Sequence, residues 1–584
     1  MTLNYENETL TDPTDIANAF NDHYLTIGQK TTNDIPNVDD QIENDPPQYD
    51  HPQFTLHHTT EQHVIDIMSK LNRNKASDIY KIKPTMVRDL TPILATIITP
   101  ILNEAIDKHE YPDSLKVTKL IELYKKKNKH LPENYRPIIS LLPIIAKIFD
   151  TIINNQIMNH LTTHNIISPT QYAFRPNSST TLALQTIINN IHKQKSKRKP
   201  TLAIYVDLSK AYDTISHNKL IHKLKHEFNF TDETTLFFRS YLTNRKQTTY
   251  TTHAHSNPGI ITHGIPQGST LSTTFFLLYI NNIINTVPRS KVYTYADDTT
   301  LIITADTADD LQRLAQSELN SLITYFHSNN LVPNPTKTNY TTFHPIPSPP
   351  NFSLHINDTT LQQNTAAPLL GVTIQHQIHK HTHTVTNIVR KLQPTIQKLK
   401  YAKQFITTNT MKQLYYTHAY PHLIGSITIW GTNDPKKEYI QPLIRTQKKI
   451  IRMIKNKPPR THTKPLMIEL KLLNIPNLYI YRVSKEVHQY IHPIKPKNRP
   501  EHNHNYQSVS QIHQHNTRLA ANNHQFIPNP NQYKKNAEPA HTAEYLNQRY
   551  TAVWNALPQG VRDTAVPTIF AAKLKEHLLE QQKL

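Results

Sequence analysis

KVYTYADDTTLIITA, residues 291–305, is the stretch from which the fold is read. Aromatic and β-branched residues flank a tight acidic turn, which predicts a hairpin with Asp297 and Asp298 at its tip. A second apolar run, TLAIYVD (201–207), ends on Asp207 and passes into SKAYDTISHNKLIHKLKHEF (209–228), whose spacing is helical. If this strand and the hairpin are neighbours in one antiparallel sheet, Asp207 faces the Asp297/Asp298 turn and three carboxylates converge. Converging carboxylates repel, so cation binding is expected. Each piece alone has a plainer reading, with Asp207 as a helix N-cap and Asp297–Asp298 as a polar turn. The pair Asp309–Asp310 is read in that plainer way, because it opens the amphipathic segment 307–330, where acidic residues suit the helix dipole.

Between the two acidic stretches lies GIPQGSTLSTTFFLLYINNIINTV (264–287), a Gly/Pro turn that opens an apolar helix. The chain has only 8 glycines among 584 residues, yet places three at Gly259, Gly264 and Gly268. Gly264 and Gly268 let the backbone turn without a Cβ and let a base or sugar approach closely.

Working outward, residues 1–60 form a polar extension in which only DIANAFNDHYLTIG (15–28) has helical periodicity. Amphipathic segments start at EQHVIDIMSKL (61–71). The basic tract YKKKNKH (124–130) leads into NYRPIISLLPIIAKIFDTIINNQIMNHL (134–161), read as a turn and a long helix. A strand pair ending in LLGVTI (369–374) closes a unit spanning 61–374. Residues 375–485 read as mainly helical, and 486–584 as partly disordered with proline clusters and then helical.

With 64 Lys and Arg against 44 Asp and Glu, the formal charge is +20, which points to a polyanionic partner. The absence of cysteine excludes disulfides and thiolate zinc sites. Apolar runs such as TPILATIITPIL (91–102) are too short and interrupted to span a bilayer, so no membrane partner and an intracellular protein are expected. Gly, Trp and Cys are scarce while Asn, Thr, His and Lys abound. This points to a G-poor coding strand, which ordinary G content in the coding DNA would refute. On that reading the 35 histidines need no functional explanation, including His379 and His383 at metal-ligand spacing.

The order NYRPIISLL (134–142), QYAFRPNSSTTLAL (171–184), VDLSKAYDTISHNKL (206–220), GIPQGSTLS (264–272), YADDTTL (295–301), NPTKTNYTTF (334–343) and LLGVTI (369–374) resembles the reverse transcriptases of non-LTR, jockey-type retrotransposons. Beyond it, IGSITIWG (424–431), RTQKKIIRMI (445–454), HNTRLAANN (515–523) and VWNALPQGVR (553–562) resemble the same branch. The resemblance implies an α+β right-hand polymerase fold: fingers, an antiparallel-sheet palm, a helical thumb over 375–485 and a mainly helical C-terminal region. It implies RNA-directed DNA synthesis, target-primed, in which Asp207, Asp297 and Asp298 hold two Mg²⁺ ions, with Mn²⁺ as a substitute. Two hard cations supply charge neutralisation and in-line geometry for phosphoryl transfer, and they take oxygen ligands.

Residue by residue, the resemblance puts Tyr212 where an aromatic ring excludes a 2′-hydroxyl, and Gln267 and Gly268 beside the templating base pair. Lys125 and Arg136 fall on finger positions that grip the triphosphate. Arg175 supports the fingers, and Lys337 stands where a general acid could serve pyrophosphate; for both, a structural salt bridge is an equal reading. Lys448, Lys449, Arg452 and Lys455 fall on a thumb helix suited to duplex phosphates, against the plainer reading of a solvated face. The implied partners are element RNA, a DNA primer or target, dNTPs and a separate endonuclease, with the protein in nucleus and cytoplasm. Ala173 stands where glycine is usual, and KASDIYKIKP (75–84) lacks a glycine pair, which bears on finger positioning. The sequence reads as truncated or split from a longer element protein, with no ribonuclease H expected. Rival readings are a maturase-like or telomerase-like enzyme of the same fold, and a decayed or domesticated copy that only binds RNA.

Overall fold

The strand read as TLAIYVD is buried along its whole length, and its alternating side chains serve two different cores. Leu202, Ile204 and Val206 face one core; Ala203 and Tyr205 face the other. This is the period-2 consequence of a central strand covered on both sides. The computed structural model describes residues 2–33, 35, 49–125, 127–343, 352–492, 507–508, 526–527 and 545–583. The fold is α+β.

Nine strands build two sheets: β1 (Val117–Tyr124), β2 (Tyr135–Leu141), β3 (Thr201–Val206), β4 (Lys246–Tyr250), β5 (Gly259–Ile260), β6 (Lys291–Tyr295), β7 (Asp298–Thr304), β8 (Asn339–Phe343) and β9 (Gln362–Gln363). The larger sheet has the order β9-β8-β3-β7-β6, antiparallel except for the parallel edge pair β8/β9. Its register sets Thr299 against Val206, so the two acidic strand ends meet at one edge. The smaller sheet has the order β2-β1-β4-β5, with β1 and β4 parallel.

On one face of the larger sheet pack the helices Ile144–Thr163, Thr270–Tyr279 and Ala308–Ser328. On the other lie Thr180–Ser196 and the helices from Thr382 onward. Fully buried positions such as Ile204 and Leu301 therefore belong to a close-packed interior, where truncation to Ala costs about 2–5 kcal/mol.

The structure departs from the sequence reading in several places. NYRPIISLL begins with β2, not a turn: Pro137 lies opposite Glu122, where the β1/β2 register shifts, an edge irregularity that tolerates a residue without an N–H. The polar N-terminal segment holds a hairpin, Leu3–Tyr5 with Glu8–Leu10, and a 20-residue helix, Pro13–Thr32. Asp12 caps that helix, accepting from the N–H groups of Thr14 and Asp15, and Pro13 starts it. Its buried face, including Ile16, Phe20 and Asn21, packs on the smaller sheet. Residues 34 and 36–48 lie outside the described residues.

The boundary read at 485 falls inside the helix Ile475–Ile491. Helices Tyr545–Asn555 and Pro567–Gln581 pack back on it, with the Trp554 and Phe570 rings beside His488. HNTRLAANN lies outside the described residues. LLGVTI turns through Leu370 (φ +46°) and Gly371 (φ +86°), a two-residue hairpin loop with both centres left-handed.

Candidate active site

The acidic edge of the larger sheet is built by local geometry. Strand β3 ends at Val206 and delivers Asp207; β6 and β7 are joined by the two-residue loop Ala296–Asp297, with Tyr295 paired to Asp298. Asp298 is thus the first residue of β7, and Asp297 alone among the pair sits in the turn. Ala296 carries φ +54°, a conformation that costs an L-residue energy and persists because its surroundings hold it. Part of that hold comes from Gln171, whose Oε1 accepts from the Ala296 N–H at 3.2 Å and the Ala173 N–H at 2.9 Å. The Gln171 segment also runs beside β6, with Tyr172 N–H donating to Thr294 and Thr294 N–H to Thr170. Gln171 was not singled out in the sequence, although it opens the QYAFRP motif.

Asp207, Asp297 and Asp298 lie close enough to feel one another's charge. Asp298 is exposed as a residue, yet its carboxyl is pushed up to about 6. Loss of hydration is the largest cause, followed by the charges of Asp297 and Asp207. Asp207 is held on several sides. Its N–H donates to Thr338 Oγ1 at 3.3 Å, its carbonyl accepts from the Asn334 N–H at 2.8 Å, and its Oδ2 accepts from Lys337 Nζ at 2.8 Å. The NPTKT loop therefore wraps Asp207, and an ammonium neutralises one of the three carboxylates.

Among the described residues, no group of three or more His, Cys, Asp or Glu side chains forms a ready-made metal cage. The triad is an open set of oxygen donors on a strand end and a hairpin. That suits a hard divalent cation such as Mg²⁺, which completes its shell with water and phosphate oxygens.

Tyr212 lies beside the triad, half-buried, its ring stacked on Phe276 at 4.6 Å with 12° between the planes. Burial, and then the charge of Asp297, push its phenol up. Gln267 donates from Nε2 to Asp213 Oδ1 at 3.1 Å. Gly264 and Gly268 have φ +79° and +96°, so both turns require the left-handed region that glycine enters without a Cβ clash. Ser269 caps the helix Thr270–Tyr279 and donates to buried Asp150 at 2.7 Å; Tyr111 donates to the same carboxylate at 2.8 Å. Burial raises the Asp150 carboxyl in spite of those donors. Asp150 is the lone acid in the apolar run IIAKIFDTII, a signal that the sequence reading passed over.

Other expected residues lie farther out. Lys125 is exposed just past β1, its N–H donating to Asn134. Arg136 sits on β2 opposite Leu123, and its side chain lies outside the described residues. Arg175 donates to the carbonyls of Ser168 (2.7 Å) and Gln171 (3.2 Å) and so braces the loop that supports the hairpin. Ala173 is buried with an ordinary backbone, and the left-handed residue there is Phe174, φ +54°. Lys448 and Lys449 are exposed on the helix Gln441–Ile454. Arg452 donates to the Thr461 carbonyl at 2.7 Å, and Lys455 pairs with Glu469 at 2.5 Å.

Residues 124–374 match the family model described as reverse transcriptase (RNA-dependent DNA polymerase). The chain is 25% identical over 387 residues to the "Probable RNA-directed DNA polymerase from transposon BS" of Drosophila melanogaster, covering 63% of this chain and 42% of that protein. It is 23% identical over 444 residues to the "RNA-directed DNA polymerase from mobile element jockey" of the same species, covering 73% and 48%. A third relative is the "Probable RNA-directed DNA polymerase from transposon X-element", at 24% over 408 residues, covering 67% and 43%. The chain spans less than half the length of these relatives.

Proposed function

We propose, from the premise that residues 124–374 form a reverse transcriptase domain, that this chain is an RNA-directed DNA polymerase of a jockey-like non-LTR retrotransposon. On this reading the larger sheet is the palm, the smaller sheet the fingers and the helices after Thr382 the thumb of a right hand. The observation that carries the reading is the meeting of Asp207, Asp297 and Asp298 at one end of the sheet, with Tyr212 beside them.

The triad would hold two Mg²⁺ ions, with Mn²⁺ able to replace them. Bound there, they would supply charge neutralisation on the phosphates and activation of the attacking 3′-hydroxyl. The protein's own contribution is position. Asp207 is fixed by the loop 334–338, and Asp297 and Asp298 by a hairpin that Gln171 holds. The Tyr212 ring, stacked on Phe276, forms a floor on which a deoxyribose fits and a 2′-hydroxyl does not. Lys337 keeps an ammonium at the edge of the triad, within reach of a phosphate leaving group. Lys125 and Arg136 lie at the finger strands β1 and β2, where cations can meet the triphosphate.

Element RNA is the proposed template, and the 3′-hydroxyl of a nicked DNA target, cut by a separate endonuclease, the proposed primer. Nucleus and cytoplasm are the proposed compartments. The test is Mg²⁺-dependent extension of a DNA primer on an RNA template by the purified chain, beside Asp297→Asn and Asp298→Asn. Extension by the parent and its loss in both variants is expected. A folded parent that binds RNA without extending the primer would instead support a decayed copy that only binds RNA. Extension of a nicked duplex in preference to a free primer end is expected for target priming.

A further inference from the structure

Three of the chain's eight glycines lie where the N-terminal helix Pro13–Thr32 meets the site. A Cβ on Gly28, near the end of that helix, would stand 2.0 Å from the carbonyl oxygen of Asp213 and 3.4 Å from the Cβ of His263. A Cβ on Gly264 would stand 2.9 Å from both Asp213 Cα and the Tyr212 carbonyl oxygen, and one on Gly259 2.2 Å from Leu25 Cδ1. The Tyr212–Asp213 backbone is therefore clamped between the N-terminal helix and the GIPQG turn. Inside a helix glycine is about 0.5–1 kcal/mol worse than alanine, so the helix itself has no use for Gly28. The close approach does.

The clamped backbone carries Tyr212 and, through the Asp213 carboxylate, holds Gln267. Tyr212 projects against Phe276, and the Asp213 carboxylate accepts from Gln267. Backbone bonds lock the turn to the same place, with Gly264 N–H donating to Ile215 at 2.8 Å and Ile265 N–H to Tyr212 at 3.0 Å. The helix cannot drift away, because buried Asn21 anchors it to the fingers sheet. Asn21 donates to the Asn257 carbonyl at 3.1 Å and accepts from Thr249 Oγ1 at 3.1 Å and Gln247 Nε2 at 3.2 Å.

We propose that the helix Pro13–Thr32 is a structural wall of the nucleotide site and that Gly28 is a positioning residue, setting Tyr212 and Gln267 through the Asp213 peptide. The inference rests on the polymerase reading of the cleft. It is tested with the full chain carrying Gly28→Ala, beside Gly560→Ala, whose Cβ would meet nothing within 4 Å. If the helix were only a stabilising appendage, the melting temperature would change and nucleotide selection would not.

The expected result is a folded Gly28→Ala protein whose KM for dNTP rises on the order of tenfold to a hundredfold, with an altered ratio of dNTP to rNTP use. Gly560→Ala should match the parent. An unchanged KM and an unchanged ratio in folded Gly28→Ala would overturn the proposal. Should that variant not fold, Leu25→Ala, which trims the side chain that the same helix sets against Gly259 and adds no clash, decides by the same two readings. Should the parent itself not extend a primer, the polymerase reading fails separately. Hydrogen exchange over residues 262–268 then decides the clamp, with faster exchange in the variant supporting it and equal exchange overturning it.

Discussion

Asp207 and Lys337 form a contact whose value changes with the state of the cleft. In the protein alone the ammonium relieves repulsion among three carboxylates; with divalent cations bound, the same ammonium competes for Asp207 Oδ2. The pair is largely solvent-exposed, so its net worth in stability is at most about 1 kcal/mol. Lys337→Gln should therefore lower the melting temperature slightly without Mg²⁺ and enlarge the rise that Mg²⁺ produces, because more of the binding free energy then goes into the folded state. Thermal melts of parent and variant over a Mg²⁺ series measure both effects, and an equal Mg²⁺-induced rise in the two would contradict the competition. The aspartates themselves were legible in the sequence, because a strand end and a two-residue turn are local signals. A salt bridge at Lys337 was one of two equal readings, and its partner was not legible, because either a phosphate or a carboxylate could have faced that lysine.

At the scale of elements, the acidic hairpin is held from outside its own strands. Gln171 accepts from two backbone N–H groups that are otherwise buried, and one of them belongs to the left-handed Ala296. Gln171→Ala orphans both, so a loss of about 2–6 kcal/mol is expected, at about 1–3 kcal/mol for each buried donor left unmade. Denaturant unfolding reads the stability. A fall in kcat larger than that of a core variant of equal stability would tie the loss to the hairpin. Sequence patterning found β3, β6, β7 and the amphipathic helices because their periodicity is continuous. It missed β2, where Pro137 imitates a turn, and the role of the helix Pro13–Thr32, since docking on Asp213 and Gly259 is a tertiary contact with no local pattern. The spare glycines were the one trace of it: three were noticed in the GIPQG region, but Gly28 was not joined to them.

The whole molecule is tied together across the larger sheet, whose second core continues from Thr180–Ser196 to the last helix. Within it, Glu486 on Ile475–Ile491 accepts from Gln185 on Thr180–Ser196, and the same Gln185 donates to Tyr550 on Tyr545–Asn555 at 2.8 Å. Burial pushes the Glu486 carboxyl up to about 7 against the pull of Gln185 and Arg482. A carboxyl raised in the folded state favours folding fully below its unfolded value of about 4.5, and that favour is lost as pH rises through 7. Glu486→Gln should thus equal the parent near pH 4 and exceed it by roughly 3 kcal/mol at pH 8, as urea unfolding at the two pH values would show. A constant difference would mean that the carboxyl is better hydrated than its setting implies.

The net charge of +20 makes salt dependence the molecule's broadest prediction, and the cations on the helix Gln441–Ile454 do not contribute equally to it. Arg452 and Lys455 are engaged by the Thr461 carbonyl and Glu469, so they join the helix to the chain that follows. Lys448 and Lys449 face solvent on the same helix, where phosphates can reach them. Each phosphate contact releases counterions, and the slope of log affinity against log salt falls by about 0.7–0.9 per contact removed. The double variant Lys448→Ala/Lys449→Ala should therefore flatten the slope for RNA–DNA duplex by about 1.4–1.8 with little change in melting temperature. Arg452→Ala should lower the melting temperature and leave the slope nearly as it was. Binding titrations over a salt series, with a melt of each variant, separate the two. If Arg452→Ala flattens the slope as much as the lysine pair, the guanidinium leaves Thr461 when nucleic acid arrives, and the helix contacts the duplex over a longer face than its unliganded hydrogen bonds suggest.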